Sequence, residues 1–137
     1  MIKQLTIFLE NKIGELTDIT ELLSSNGLSI VSINLADSND FGLLRIIVED
    51  EEKAKEVIDK AGFSVKIIEV IAIEIEDHIG SFNQVVSVLS QNQINIEYTY
   101  TVSNHNKPAF IFKVNQKSFS KAVACLQENH ITLLNTL

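Results

Sequence analysis

The feature that most constrains this chain is that it repeats itself. Asn11-Lys12-Ile13-Gly14-Glu15-Leu16 returns 66 residues later as Asp77-His78-Ile79-Gly80-Ser81-Phe82. Each copy follows an alternating apolar run and opens a helical pattern. A strand that turns through a glycine-containing loop into a helix leaves the first backbone N–H groups of the helix unpaired. Those groups, at the positive end of the helix dipole, favour a carboxylate or phosphate. The same glycine also serves a tight turn with no ligand at all, and an isolated copy would say little. Two copies in register make this loop the pivot of the chain.

Around the loop the pattern is regular. Leu5, Ile7 and Leu9 alternate with Gln4, Thr6 and Glu10, the period of a half-buried strand. Ile13, Leu16, Ile19 and Leu23 form a helical stripe that Asn26-Gly27 stops. Residues 28–36 and 41–48 read as two strands of a hairpin around Asp37-Ser38-Asn39-Asp40, and 50–61 as a second helix ended by Gly62. Residues 65–68 read as a fourth strand, and the order then begins again. Ile71, Ile73 and Ile75 match Leu5, Ile7 and Leu9, while Phe110, Phe112 and Val114 match Leu44, Ile46 and Val48. After a two-residue insertion the offset becomes 68, aligning Ala122, Cys125 and Leu126 with Ala54, Val57 and Ile58. Each half is then a split βαβ unit, ferredoxin-like, with an antiparallel sheet and helices on one face. The expectation is an α+β chain of two such βαββαβ domains, 1–69 and 70–137, side by side. With no Gly/Ser/Pro linker between them, their second strands are expected to meet edge to edge.

Charge and composition remove several classes of function. A net charge of −7 opposes a nucleic-acid or anionic-membrane partner, either of which needs a basic face. No apolar run reaches the roughly 18 residues of a membrane span. The start, Met1-Ile2-Lys3-Gln4, does not read as a secretory signal, and the one cysteine makes no internal disulfide, so a cytoplasmic chain is expected. His78, His105, His130 and Cys125 lack the spacing of metal ligands. No motif calls for a cofactor, and no Ser/His/Asp or Cys/His arrangement is indicated.

On these residues the chain resembles a tandem pair of ACT domains, small regulatory modules that usually bind amino acids. The family's loop commonly reads Asp-x-Pro-Gly with a hydrophobic residue two positions on. Here Asp77, Gly80 and Phe82 keep that pattern, whereas the first copy has Asn11 with Gly14 and Leu16, and Ile13 and Ile79 stand where proline is usual. The resemblance implies ligand sites where two such domains pair, the loop of one facing the second strand of its neighbour. One site would combine Asn11, Ile13 and Gly14 with Tyr98 and Tyr100. The other would combine Asp77, Ile79 and Gly80 with Ser32 and Asn34. Loop N–H groups would hold a carboxylate, and Asp77 or Asn11 would take an ammonium group or cap its helix. Ser32 and Asn34 share the alternation phase of Leu28 and Ile30, which places polar groups toward the helices, where a ligand or water must satisfy them.

The opposite phase carries Phe8, Val31, Ile33, Leu35 and Ile47 in the first copy but Glu74, Glu97, Thr99, Thr101 and Lys113 in the second. An apolar outer face of that size predicts a homodimer through the first-half sheet. The function expected is a non-catalytic regulator that binds a free amino acid between its two domains. The alternative is a ligand-free module that assembles a partner enzyme or regulator. A ferredoxin-like hydrolase would want an arginine in a phosphate loop, and the sole arginine, Arg45, lies mid-strand.

Overall fold

Leu5, Ile7 and Leu9 are all buried along β1 (Ile2–Glu10), as their alternation demands. The computed structural model describes residues 1–38 and 40–137, so Asn39 of the expected hairpin turn lies outside the described residues. After β1 come α1 (Glu15–Ser25), β2 (Ile30–Ser38), β3 (Phe41–Val48), α2 (Glu51–Lys60) and β4 (Ser64–Glu74). The second copy continues with α3 (Ser81–Gln91), β5 (Ile96–Asn104), β6 (Lys107–Val114), α4 (Phe119–Glu128) and a short β7 (Leu133–Leu134). A 3-10 turn at Gln116–Ser118 precedes α4, where the second copy has its extra residues.

The chain divides into two compact units, Lys3–Ile68 and Glu69–Leu137 with Met1–Ile2. The division falls inside β4, which runs unbroken where two strands were expected. In the first unit β1 and β2 both pair antiparallel with β3, and β4 follows β1 in the strand order. Its core gathers Leu5, Ile7, Leu44 and Ile46 of the sheet against Ile19 and Leu23 of α1 and Ala54 and Ile58 of α2. In the second unit β6 pairs with β4 and β5, and β7 pairs with Ala72 and Ile73 of β4. There Ile71, Ile73 and Phe112 pack on Val85 and Leu89 of α3 and Ala122 and Leu126 of α4. Each unit is the expected split βαβ arrangement. The Asp50 carboxylate caps α2 by accepting the Lys53 N–H at 3.1 Å.

Two features overturn expectations. First, among the described residues β2 has β3 as its one neighbour in the strand order and β5 has β6. The edge-to-edge pairing of the two second strands is therefore not among the ladders this chain makes.

Second, both second strands carry a β-bulge. Ile30 stands opposite Val48 but Ser32 stands opposite Ile47, leaving Val31 as the extra residue; Glu97 is extra in the same way between Ile96 and Tyr98. One added residue exchanges the faces of everything beyond it. Ser32 and Asn34 consequently lie on the outer face with Ile47 and Arg45, and Ile33 and Leu35 on the helix side with Ile46 and Leu44. A Cβ placed on Gly42 would meet Leu35 Cδ1 at 3.2 Å and Leu9 Cβ at 3.8 Å, which fixes Leu35 on the core side. In the second unit Tyr98 and Tyr100 share the outer face with Lys113 and Ile111, while Thr99 and Thr101 turn to the helix side.

The expected apolar outer face is broken up by this slip. Of Phe8, Val31, Ile33, Leu35 and Ile47, two lie on the other side, Val31 sits in the bulge, and Ile47 is only 5% exposed. Of the five, Phe8 stays exposed on that face, where Phe41 is exposed too, so the apolar surface on which a homodimer was expected shrinks to these two rings among the described residues.

Cys125 is a core residue whose thiol donates to the Ala122 carbonyl at 3.2 Å. Burial pushes the thiol pKa up, and the nearby Glu128 charge adds to the rise. Thiol reagents at neutral pH should accordingly label the native chain far more slowly than the unfolded chain, as a time course with and without denaturant will show. Phe112 is fully buried in a cluster with Phe82 and Phe110, its ring centroid 5.7 and 6.5 Å from theirs. Phe112→Ala should cost about 3–5 kcal/mol in chemical denaturation.

Candidate functional site

The two repeated loops fold alike. In the first, the Lys12 N–H donates to the Glu10 carbonyl at 2.9 Å and the Glu15 N–H reaches the Lys12 carbonyl at 3.5 Å. In the second, His78 donates to Glu76 at 2.9 Å and Ser81 to His78 at 3.2 Å. Gly14 (φ 95°, ψ −19°) and Gly80 (φ 90°, ψ −8°) occupy the N-cap positions in the left-handed region, which glycine enters without penalty. Asp18 and Gln84 then close the first helical turns onto the carbonyls of Gly14 and Gly80, at 2.9 and 3.0 Å.

Asn11 and Asp77 do not cap these helices, contrary to one of the roles expected for them; neither helix start has a side-chain cap bond. Glycine at the cap leaves the N–H groups of Leu16 and Thr17, and of Phe82 and Asn83, with no intrahelical acceptor. Ile13 and Ile79 precede their helices rather than joining the buried stripe. Both are fully exposed, at 104% and 103%. An apolar side chain held in solvent beside unsatisfied backbone donors gives the loop both an oily and a polar contact.

The structure thus gathers Asn11, Ile13 and Gly14 in one turn, and Asp77, Ile79 and Gly80 in another. Ser32 and Asn34 sit on one strand face, where Ser32 is buried and the Asn34 carbonyl oxygen accepts from Arg45 Nη1 at 3.4 Å. Tyr98 and Tyr100 sit on another, their rings nearly parallel with centroids 6.3 Å apart.

The electrostatics of the loops differ. Glu15 and Asp18 lie in the first turn of α1, and Lys12 lies 2.9 Å from Glu10 and 3.5 Å from Glu15. The Glu10 hydrogen bond and charge, then the Glu15 charge, raise the Lys12 pKa. The first turn of α3 holds no acid, and His78 Nδ1 lies 3.5 Å from Glu76. Beside that turn is a cleft of about 300 Å³ lined by Ser81, Gln84, His78, His130 and Thr132, among others. A neighbouring cleft of about 480 Å³ includes Asp77, Glu76, Lys107 and Thr132. Ser81, His130 and Thr132 line the first of these clefts and were not among the expected site residues; in the first copy Glu15, Gly62 and Ser64 stand in their places. Among the described residues no group of three His, Cys, Asp or Glu side chains is placed to hold a metal ion.

The family model for the ACT domain pair matches residues 1–135. A solved protein of Bacteroides thetaiotaomicron is 34% identical, with a TM-score of 0.88 over 97% of this chain and 91% of that one. The ligand-free regulatory subunit of aspartate kinase from Thermus thermophilus is 11% identical, with a TM-score of 0.64 over 93% of this chain and 91% of that one. The corresponding subunit from Thermus flavus, also 11% identical, gives a TM-score of 0.61 over 95% and 94%. Among curated proteins none matches this sequence.

Because a Cβ at Gly80 would touch nothing within 4 Å, only backbone strain opposes a side chain there. Gly80→Ala should destabilise the chain by about 1–2 kcal/mol. Ile79→Ala should stay within about 0.5 kcal/mol of wild type. Paired urea melts of the two variants check both values.

Proposed function

This chain belongs to the ACT domain pair family, and from that premise we propose that it is a non-catalytic regulatory protein that binds a free amino acid. The observation that carries the reading is the duplicated helix start. Each has a left-handed glycine cap, unsatisfied N–H groups and an exposed isoleucine, which together match the carboxylate and side chain of an amino acid. In this reading the loop of Asn11, Ile13 and Gly14, or of Asp77, Ile79 and Gly80, faces the second strand of a neighbouring ACT domain. Ser32 and Asn34, or Tyr98 and Tyr100, are the strand residues offered to the ligand. The chain acts in the cytoplasm and passes its signal to a separate enzyme or regulator. Two of the solved structures sharing the fold are regulatory subunits of aspartate kinase, which supports a regulatory role without naming the ligand.

A second reading, a module that assembles a partner without a ligand, is favoured by Ile33 and Leu35. They are 47% and 50% exposed on the helix side of a strand with one neighbour. An open strand edge with exposed apolar side chains invites another chain.

A thermal-shift screen of free amino acids separates the two. A ligand at one hundred times its Kd stabilises the native state by about 2.7 kcal/mol, a shift of several degrees in Tm. Gly80→Val should abolish calorimetric binding, because a β-branched residue does not hold the left-handed geometry that opens the backbone to the ligand. A screen with no shift for any amino acid would favour the assembly module.

A further inference from the structure

The repeat supplies an internal comparison that separates the two loops. In α1 the helix start is already neutralised: Glu15 and Asp18 lie in its first turn, and Lys12 is drawn into pairs with Glu10 and Glu15. A ligand carboxylate arriving there would meet two fixed negative charges. In α3 the same positions are Ser81 and Gln84, and no acid lies in the first turn. The donors of Phe82 and Asn83 therefore keep the full attraction of the helix terminus.

A second observation points to a ligand at this terminus. Ser81 is 9% exposed, lines the 300 Å³ cleft, and its Oγ has no hydrogen-bond partner within the protein. A buried hydroxyl left unsatisfied costs about 1–3 kcal/mol, a cost that an acceptor entering the cleft would remove. The opposite wall comes from the turn between α4 and β7. There His130 adopts φ +61° where the first copy has Gly62, and Thr132 follows where it has Ser64. These residues all belong to the second unit.

The cleft also has a negative side. Glu74 contributes to its wall, but its carboxylate is turned to the outer sheet face, with Oε1 3.2 Å from Lys107 Nζ and Oε2 3.2 Å from Asn104 Nδ2. Glu76 lies on the wall too and is exposed, with His78 beside it at 3.5 Å. That carboxylate opposes a phosphate dianion but suits a ligand that carries an ammonium group beside its carboxylate.

We propose that, of the two repeated loops, the one before α3 alone provides the amino-acid site. Ser81 Oγ and the N–H groups of Phe82 and Asn83 hold the ligand carboxylate, His130 and Thr132 close over it, and Glu76 receives the ammonium group. The first loop is a copy whose own acids have filled the position. This assignment rests on the amino-acid-binding reading above and selects one loop within it.

The test is calorimetry and a two-dimensional amide NMR titration of the full chain, with glycine, alanine, serine, aspartate, lysine and phenylalanine as probes and inorganic phosphate as a comparison. The expected result is one molecule bound per chain, with shifts concentrated at residues 78–84 and 130–132. Ser81→Glu, which installs the first copy's acid, should weaken binding at least tenfold. Gln84→Asp, on an exposed helix position that leaves the core untouched, should weaken it several-fold if Ser81→Glu fails to fold. Binding that survives both changes, two molecules per chain, or shifts centred on residues 12–18 would overturn the assignment while leaving an amino-acid binder. Phosphate binding as tightly as the best amino acid would overturn the zwitterion. No binding of any probe, leaving a water-filled cleft only, would overturn the reading beneath it as well.

Discussion

The fold depends on two stretches in which large aliphatic side chains alternate strictly, Leu5, Ile7 and Leu9 in β1 and Ile71, Ile73 and Ile75 at the end of β4 and just beyond it. All six are buried, and each set meets two helices whose own apolar stripes are three and four residues apart. Sheet period and helix period agree only when the helices lie on one face, which leaves the split βαβ order as the way to close each unit. The long β4 follows from the same rule. Residues that end one unit and begin the next are mostly β-branched, with no glycine or proline between Ser64 and Glu74 to break the strand.

The bulges at Val31 and Glu97 decide what the second strands can do. Ser32 and Asn34 looked like polar groups at core positions only while the alternation of Leu28 and Ile30 was carried through them. With the extra residue in place they face outward, and the apolar Ile33 and Leu35 return to the side of Leu44 and Ile46. In the first unit, therefore, Ser32 and Asn34 do not intrude on the core but lie on the sheet's other face, whereas in the second the same slip turns Thr99 and Thr101 to the helix side. Because both copies carry the bulge at the same place, it belongs to the repeated unit rather than to either copy's particular side chains.

Duplication also shows what each helix start is able to do. The backbone of the two loops is nearly the same, down to the left-handed glycine, and Glu10 and Glu76 correspond, yet the charges of the first helical turns differ. Where α1 answers its own dipole with Glu15 and Asp18, α3 leaves its dipole to the cleft beside it. A shared backbone with divergent side chains gives one chain two electrostatically different helix starts on the same fold.

By itself the sequence determined the two-unit organisation, the order of elements, the core positions and the position of the glycine loops. Each of these is a local property, read from a period of two or near 3.6, from a turn residue, or from an offset of 66. Tertiary structure alone decided which face Ser32, Asn34, Tyr98 and Tyr100 occupy, because a bulge is a mismatch between two strands and cannot be seen in one. It also decided that Ile13 and Ile79 stand in solvent ahead of their helices, and that the turn after α4 comes back to Ser81. Those facts depend on where a helix actually begins and on which distant segments share a cleft, and contacts across fifty residues leave no period along the chain.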